Sequence, residues 1–339
     1  MSGLSGNSRT IGRQRLSLSP LGFGGAPVGN LYTLVSEADA QSAVEAAFAR
    51  GIRYFDTAPL YGHGLSEERL GRAFAGRPRV GFALSTKVGR VIVPDASRRG
   101  MADGFAVEGT RAVFDYSRDG VRRSFESSLE RLRVDFVDIL YLHDIGRATH
   151  GGRHAEVLKL ALDEALPAMA ALRDSGVVGA IGIGVNEQDV CLEVLPRFDL
   201  DCIMLAGRYT LLEQHNAIEL MGEAQARGVP ILAAGPYNSG LLAGVTAPGE
   251  TYNYVPADES TRERARAVYE ECAAERVDVG AAALQFPLAH PAVASVVTGM
   301  RTATEVEIAV NRMATPIPAA LWRRVRRRGL VAAGAVLPE

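Results

Sequence analysis

Three apolar runs of this sequence end in residues that a hydrophobic core does not need. R-Y-F-D-T-A-P-L-Y places Asp56 at the end of one run and Tyr61 five residues later. A-L-S-T-K ends in Lys87, and I-L-Y-L-H ends in His143. Together they supply a phenol, an ammonium, a carboxylate and an imidazole. A free tyrosine has a pKa of about 10, so only about 0.1% is ionised at neutral pH. An adjacent ammonium favours the phenolate; Lys87 can provide it while Asp56 keeps that lysine charged. His143 then hydrogen-bonds the reacting oxygen and fixes its direction. Such a set is a positioned proton donor and acceptor for a carbonyl/alcohol pair. Each residue alone has a plainer reading: a helix-capping aspartate, a solvated lysine, a satisfied histidine, a packed tyrosine. Their joint appearance at successive run ends favours chemistry. The pairing with Asp56 also makes Lys87 a poor Schiff-base nucleophile, since a protonated amine does not attack.

Residues this far apart in sequence meet only if a regular fold carries them to one place. Strands are expected near 19–23, 52–56, 82–86, 137–142, 178–184, 202–206, 230–234 and 293–298. Most are apolar almost throughout, as strands covered on both faces are. Helices are expected near 37–50, 66–75, 117–131, 155–175, 187–196, 214–227, 259–276 and 303–312. Ser36 and Asp39 read as the start of the first helix, and Gly51, Gly176 and Gly228 as helix ends. Eight such units, without an obvious second domain, predict a (β/α)8 TIM barrel formed by 1–339 as a single α/β domain. A short β-hairpin over 10–18 precedes it, and a C-terminal extension over 316–339 follows. The connections 88–117 and 238–259 are long, and both follow strand C-termini, where barrel active sites are built. They are expected to cover substrate or cofactor.

Composition narrows the partners. A net charge of −2 offers no field for nucleic acid or an anionic membrane. The five arginines at 323, 324, 326, 327 and 328 read as a helix end. Cys191, Cys202 and Cys272 are few and scattered, which suits a reducing compartment. The opening M-S-G-L-S-G-N-S has no apolar leader, and no run is long enough to span a bilayer. A cytoplasmic protein acting on a small molecule is expected; nothing indicates an oligomer. His150 and His154 have a metal-ligand spacing but flank a Gly-Gly pair, so no metal is expected. Gly22, Gly24 and Gly25 lack the third glycine of a dinucleotide fingerprint, and Gly182 and Gly184 read as strand packing.

G-F-G-G-A-P-V-G-N-L-Y, F-D-T-A-P-L-Y-G-H-G-L-S-E and S-T-K-V-G-R together resemble the aldo-keto reductase superfamily. Y-L-H-D-I and L-A-G-R-Y-T-L-L-E-Q are similar to the branch that includes L-fucose (D-threo-aldose 1-) dehydrogenase and pyridoxal 4-dehydrogenase. The resemblance implies an NAD(P)-dependent oxidoreductase whose Tyr61, Lys87, Asp56 and His143 form the catalytic tetrad. It implies oxidation of a cyclic hemiacetal, an aldose or pyridoxal, to the lactone by hydride transfer, or alternatively general aldehyde reduction. A cofactor-binding sensor subunit is the reading from another class; retention of all four tetrad residues argues against it. NAD or NADP would be held by Gly25, Asp56 and Asn186, by Gly235, Pro236, Tyr237, Ser239 and Leu241, and by Thr298, Gly299, Met300, Arg301, Thr302 and Glu305. Val185, Ala206, Ile308 and Ala309 depart from the family's pattern at the nicotinamide and adenosine ends. Substrate would touch Tyr61, His143 and, from the C-terminal extension, Trp322, for which packing on the barrel wall is the other reading.

Overall fold

The apolar runs form strands whose side chains alternate between two cores, and that alternation places the chemistry. The computed structural model describes residues 9–338 apart from 245, 248 and 254. The opening stretch read for a leader, 1–8, lies outside the described residues. The chain begins with the antiparallel hairpin β1 (Arg9–Ile11) and β2 (Leu16–Leu18). The next strands are β3 (Leu21–Gly24), β4 (Tyr54–Asp56), β5 (Ala83–Val88), β6 (Arg90–Ala102), β7 (Phe105–Phe114), β8 (Val137–His143) and β9 (Val178–Val185). They are followed by β10 (Cys202–Ala206), β11 (Ile231–Ala234), β12 (Thr251–Tyr252), β13 (Val255–Pro256) and β14 (Val293–Gly299). Eight of them close a parallel barrel in the order β3-β4-β5-β8-β9-β10-β11-β14. This is the TIM barrel expected from the eight β/α units.

Around it lie α1 (Glu37–Ala49), α2 (Leu65–Phe74), α3 (Arg118–Leu132), α4 (Arg147–His150), α5 (His154–Leu160) and α6 (Leu166–Asp174). Then come α7 (Asp189–Val194), α8 (Ile218–Arg227), α9 (Glu259–Ala274), α10 (Val279–Gln285), α11 (Ala303–Ala314) and α12 (Ala319–Arg327). Ser36 caps α1 as its spacing predicts, its hydroxyl accepting from the Asp39 N–H at 3.0 Å. The helix expected over 155–175 is α5 and α6 joined by a π-helical turn, Ala161–Ala165.

Outward strand residues such as Phe55, Leu84, Leu142 and Ile183 pack on the helices in the principal core. Inward ones, among them Tyr54, Ala83, Ile139, Tyr141, Ala180 and Cys202, form a second core inside the barrel, floored by Ile11 and Leu18 of the hairpin. Asp56, Lys87 and His143 lie in inward register: two residues after Tyr54, four after Ala83 and two after Tyr141. With a period of two, they point into the same interior, at the strand C-termini.

Three expectations change. The connection 88–117 is not an open loop but the ribbon β6–β7, whose near-tip residue Phe105 pairs with Leu31 in the loop after β3. The helix α10 was not foreseen, because V-G-A-A-A-L-Q is apolar on every side and shows no helical period. The C-terminal extension, expected only to follow the barrel, packs on it: α12 lies beside α9, with Arg324 on Glu271 and Arg328 on Glu270, each at 2.6 Å. Trp322 is 2% exposed within the principal core, a packing position and not a lining one.

Gly182 is required by strand packing, since a Cβ there would lie 2.2 Å from the Cys202 carbonyl oxygen on the neighbouring strand. Gly222, in α8, has nothing within 4 Å of such a Cβ. Gly182→Ala is therefore expected to lose about 1–3 kcal/mol by overpacking. Gly222→Ala is expected to gain about 0.5–1 kcal/mol from helix propensity. Urea unfolding of the two variants checks the pair; equal midpoints would contradict this packing.

Candidate active site

Asp56 ends β4 and Lys87 lies one residue from the end of β5, so adjacent strands bring them together. The Lys87 Nζ donates to Asp56 Oδ2 at 2.7 Å and to the Thr57 carbonyl at 2.9 Å. Both side chains are almost wholly buried. The ammonium stands 4.8 Å from the centre of the Tyr61 ring. Tyr61 in turn meets His143 edge to face, with ring centroids 6.2 Å apart. The structure thus brings all four sequence-predicted residues into one cluster. On its other side the Tyr61 ring stacks on Phe105 at 5.7 Å. Phe105, Leu60 and Val107 form a small apolar cluster that carries the β6–β7 ribbon over the mouth.

Two residues join this cluster that sequence reasoning missed. Arg90, at the start of β6, lies with Nη1 3.3 Å from His143 Nδ1 and Nη2 2.9 Å from Asp144 Oδ2. Asp144 Oδ2 is 3.4 Å from His143 Nε2. A guanidinium only donates, so Nδ1 accepts and the proton of the neutral ring sits on Nε2. The signal lay in the quoted motifs: Arg90 closes S-T-K-V-G-R and Asp144 follows the histidine in Y-L-H-D. Gly89 makes the sharp turn between β5 and β6 at φ +102°, and a Cβ there would strike the Tyr116 ring at 2.5 Å. Tyr116 holds the end of β8 by donating to the His143 and Asp144 carbonyls at 2.9 and 3.0 Å.

Electrostatics set the protonation states. Burial first, then the charges of Arg90 and Lys87, hold His143 well below the usual histidine range. It is a neutral hydrogen-bond donor at physiological pH. Burial first, then Asp56 and Asp144, push the Tyr61 phenol well above its ordinary value, against a smaller pull from Arg90. The expected lowering by Lys87 is not met in this arrangement. The ammonium lies against the ring face, and its charge is neutralised by Asp56. Asp56 itself is raised by burial, with Lys87 and Ser85 pulling it back down.

The residues expected to hold a dinucleotide fall on the other strand ends. Asn186 follows β9 and is partly exposed. Gly235 follows β11 with φ +64°, its N–H donating to the Val297 carbonyl at 3.0 Å. Pro236 is buried beside it, and Tyr237 is held by Arg312, which donates to its hydroxyl at 3.3 Å. Ser239 lies in the same left-handed turn. Thr298 and Gly299 end β14, and Thr302 caps α11 by accepting from the Glu305 N–H at 3.2 Å. Arg301 is exposed and doubly bound to Glu305 Oε1, at 2.9 and 2.6 Å. A helix N-terminus with an adjacent arginine favours an anion, so this donor set fits a dinucleotide phosphate. Three members have other duties. Leu241 is fully buried, its N–H and carbonyl both engaged, and Met300 packs in the principal core. Gly25 donates its N–H to the Asp56 carbonyl and accepts from Ser66, so its polar groups are also taken. His150 and His154 have separate partners, Tyr116 at 3.0 Å and Glu193 at 3.0 Å. Among the described residues no group of three or more metal-binding side chains is found.

Similarity to known proteins agrees with the fold. The sequence model of the Aldo/keto reductase family matches residues 20–328. A pyridoxal 4-dehydrogenase of Microbacterium luteolum is 39% identical, over 95% of this chain and 97% of its own length. A D-threo-aldose 1-dehydrogenase of Pseudomonas sp is also 39% identical, over 93% and 95% respectively. The holo form of aldo-keto reductase AKR11C1 from Bacillus halodurans superposes with a TM-score of 0.74 at 27% identity, covering 98% of both chains.

The Arg90 contact has a measurable consequence. In Arg90→Gln the nearby positive charge is gone, so His143 is expected to titrate at higher pH than in the wild type. A histidine-resolved NMR titration checks this; an unmoved His143 would mean that burial alone sets its protonation.

Proposed function

This chain belongs to the Aldo/keto reductase family and is an NAD(P)-dependent oxidoreductase; we propose that it oxidises the hydroxyl of a cyclic hemiacetal, an aldose of L-fucose type or pyridoxal, to the lactone. The observation that carries this reading is the contact of Lys87, already paired with Asp56, with the ring of Tyr61, and of that ring with His143. The two relatives named for aldose and pyridoxal oxidation cover nearly the whole chain and support the substrate class.

In the proposed reaction, His143 Nε2–H binds the hemiacetal oxygen and fixes its direction toward Tyr61. Tyr61 takes the hydroxyl proton as the carbon becomes a carbonyl, and returns it in the reverse reaction. The C–H bond breaks as the C=O bond of the lactone forms. When bound, NAD(P) supplies the two-electron acceptor. Lys87 opposes the negative charge that grows near Tyr61, and Asp56 keeps it from leaving its place. Asn186, the turn at 235–239 and the start of α11 would hold the dinucleotide. Phe105 closes one wall of the mouth and keeps water from Tyr61. For cofactor choice, a 2′-phosphate at Arg301 would have to displace the Glu305 carboxylate, so NAD should serve at least as well as NADP. We place the enzyme in the cytoplasm on the strength of its three free cysteines.

A high-lying phenol fixes the pH dependence. Below its raised pKa, Tyr61 is protonated and ready to donate, which suits reduction; oxidation needs it as a base. Oxidative kcat/KM should therefore climb toward alkaline pH. The test follows nicotinamide absorbance with L-fucose, D-arabinose, L-galactose, D-galactose and pyridoxal, each with NAD and NADP. Turnover of at least one hemiacetal is expected, rising with pH. Tyr61→Phe should keep cofactor affinity and lose about 10²-fold or more in turnover. No activity on the panel, or near-normal turnover in Tyr61→Phe, would overturn the reading. A preference for NADP above about tenfold, roughly 1.4 kcal/mol, would overturn the cofactor assignment.

A further inference from the structure

A carboxylate buried as deeply as Asp56 needs hydrogen-bond donors, and the barrel interior supplies them in a line. Ser85 Oγ donates to Asp56 Oδ1 at 2.7 Å. The Tyr54 hydroxyl is 3.0 Å from Ser85 Oγ, and the Tyr141 hydroxyl is 3.2 Å from that of Tyr54. Cys202 Sγ points at the Tyr141 hydroxyl from 3.9 Å. Tyr54, Ser85, Tyr141 and Cys202 come from β4, β5, β8 and β10 and have no exposed surface. The line therefore crosses the barrel beneath the mouth without reaching solvent.

Its direction follows from counting protons. The ionised Asp56 only accepts, so Ser85 commits its one hydroxyl proton there. Ser85 Oγ must then accept from Tyr54, which leaves Tyr54 to accept from Tyr141 and Tyr141 from the thiol. Every donor points toward Asp56, and bonds aligned in this way polarise one another. The reaction proposed above uses none of these hydroxyls directly.

We propose that Tyr54 and Tyr141 are positioning residues: through Ser85 they hold Asp56 as a carboxylate, and through Asp56 they keep Lys87 seated against Tyr61. The groups facing Asp56 are consistent with this. Lys87 and Ser85 lie on β5, Tyr54 on its own strand, Tyr61 on the following loop and Tyr141 on β8; β3 presents the backbone of Gly24, and Gly25 follows it. Lys87 is the cation among them, and it already spends one bond on the Thr57 carbonyl.

The kinetic part of the test rests on the dehydrogenase reading; the melting part does not. In Tyr54→Phe the shape is kept and the line is cut at its second link, so the Asp56 pKa rises above its wild-type value. Above the variant's Asp56 pKa the wild type holds the carboxylate better and is the more stable; below the wild-type pKa both are protonated and the part of the difference that depends on Asp56 ionisation vanishes, leaving the pH-independent cost of the lost Tyr54 hydroxyl. The melting gap between wild type and Tyr54→Phe should be a few degrees at pH 8 and should narrow as the pH falls through the Asp56 pKa. The acid limb of kcat/KM should move upward by about half a unit or more, with cofactor affinity unchanged. Because the line is serial, Tyr141→Phe should have the smaller effect and add nothing to Tyr54→Phe. A melting gap that stays constant with pH, or losses that add in the double variant, would reduce both tyrosines to packing and overturn the proposal. If Tyr54→Phe does not fold, Tyr141→Phe and Ser85→Ala must show the same pH-dependent gap or the proposal fails. A wild type inert on every hemiacetal would sink the dehydrogenase reading, while the melting gap would still decide this one.

Discussion

Lys87 and Asp56 meet at 2.7 Å inside a barrel that almost excludes water from both. Taking each charge out of solvent costs several kcal/mol, and their attraction offsets that only with good geometry and satisfied remaining bonds. The surrounding structure meets this condition. The Thr57 carbonyl takes a second ammonium proton, and Ser85 takes the second carboxylate oxygen. Losing either partner would leave an uncompensated buried charge, at a cost of about 3–5 kcal/mol. The pair therefore ties the integrity of β4 and β5 to the placement of a cation beside Tyr61.

The rest of the mouth is arranged around that cation. The same burial keeps His143 neutral and Tyr61 protonated, so one dry environment assigns both protonation states. Arg90 fixes which imidazole nitrogen carries the proton, and its partner Asp144 holds Arg90 against the ring. The β6–β7 ribbon maintains the dryness by stacking Phe105 on Tyr61. His63 Nδ1, 3.0 Å from Thr110 Oγ1, anchors the ribbon from below.

The barrel was legible because its strands are covered on both faces and read as unbroken apolar runs. Asp56, Lys87 and His143 stood out because each is a polar residue at or near the end of such a run. Arg90 did not, since an arginine opening a charged segment looks like surface until the fold turns it back at Gly89. The ribbon itself was hidden for a similar reason. R-V-I-V-P-D-A-S-R-R-G-M-A mixes charges with apolar residues and shows no single buried face. Trp322 shows the opposite limit: its size suited a pocket or a core, and only the packing of α12 beside α9 distinguishes them. The Tyr54–Tyr141 line was invisible because both tyrosines sit within apolar runs, where they read as bulk.

The central claim is that Lys87 and Asp56 act on Tyr61 as one unit. A double-mutant cycle on kcat/KM tests it most directly, using Asp56→Asn, Lys87→Met and the combination, with folding and cofactor affinity measured in parallel. If the pair is a unit, each single change removes most of the activity and the double variant is no worse than the poorer single one. If the two losses multiply, the residues contribute independently and this account of the site is wrong.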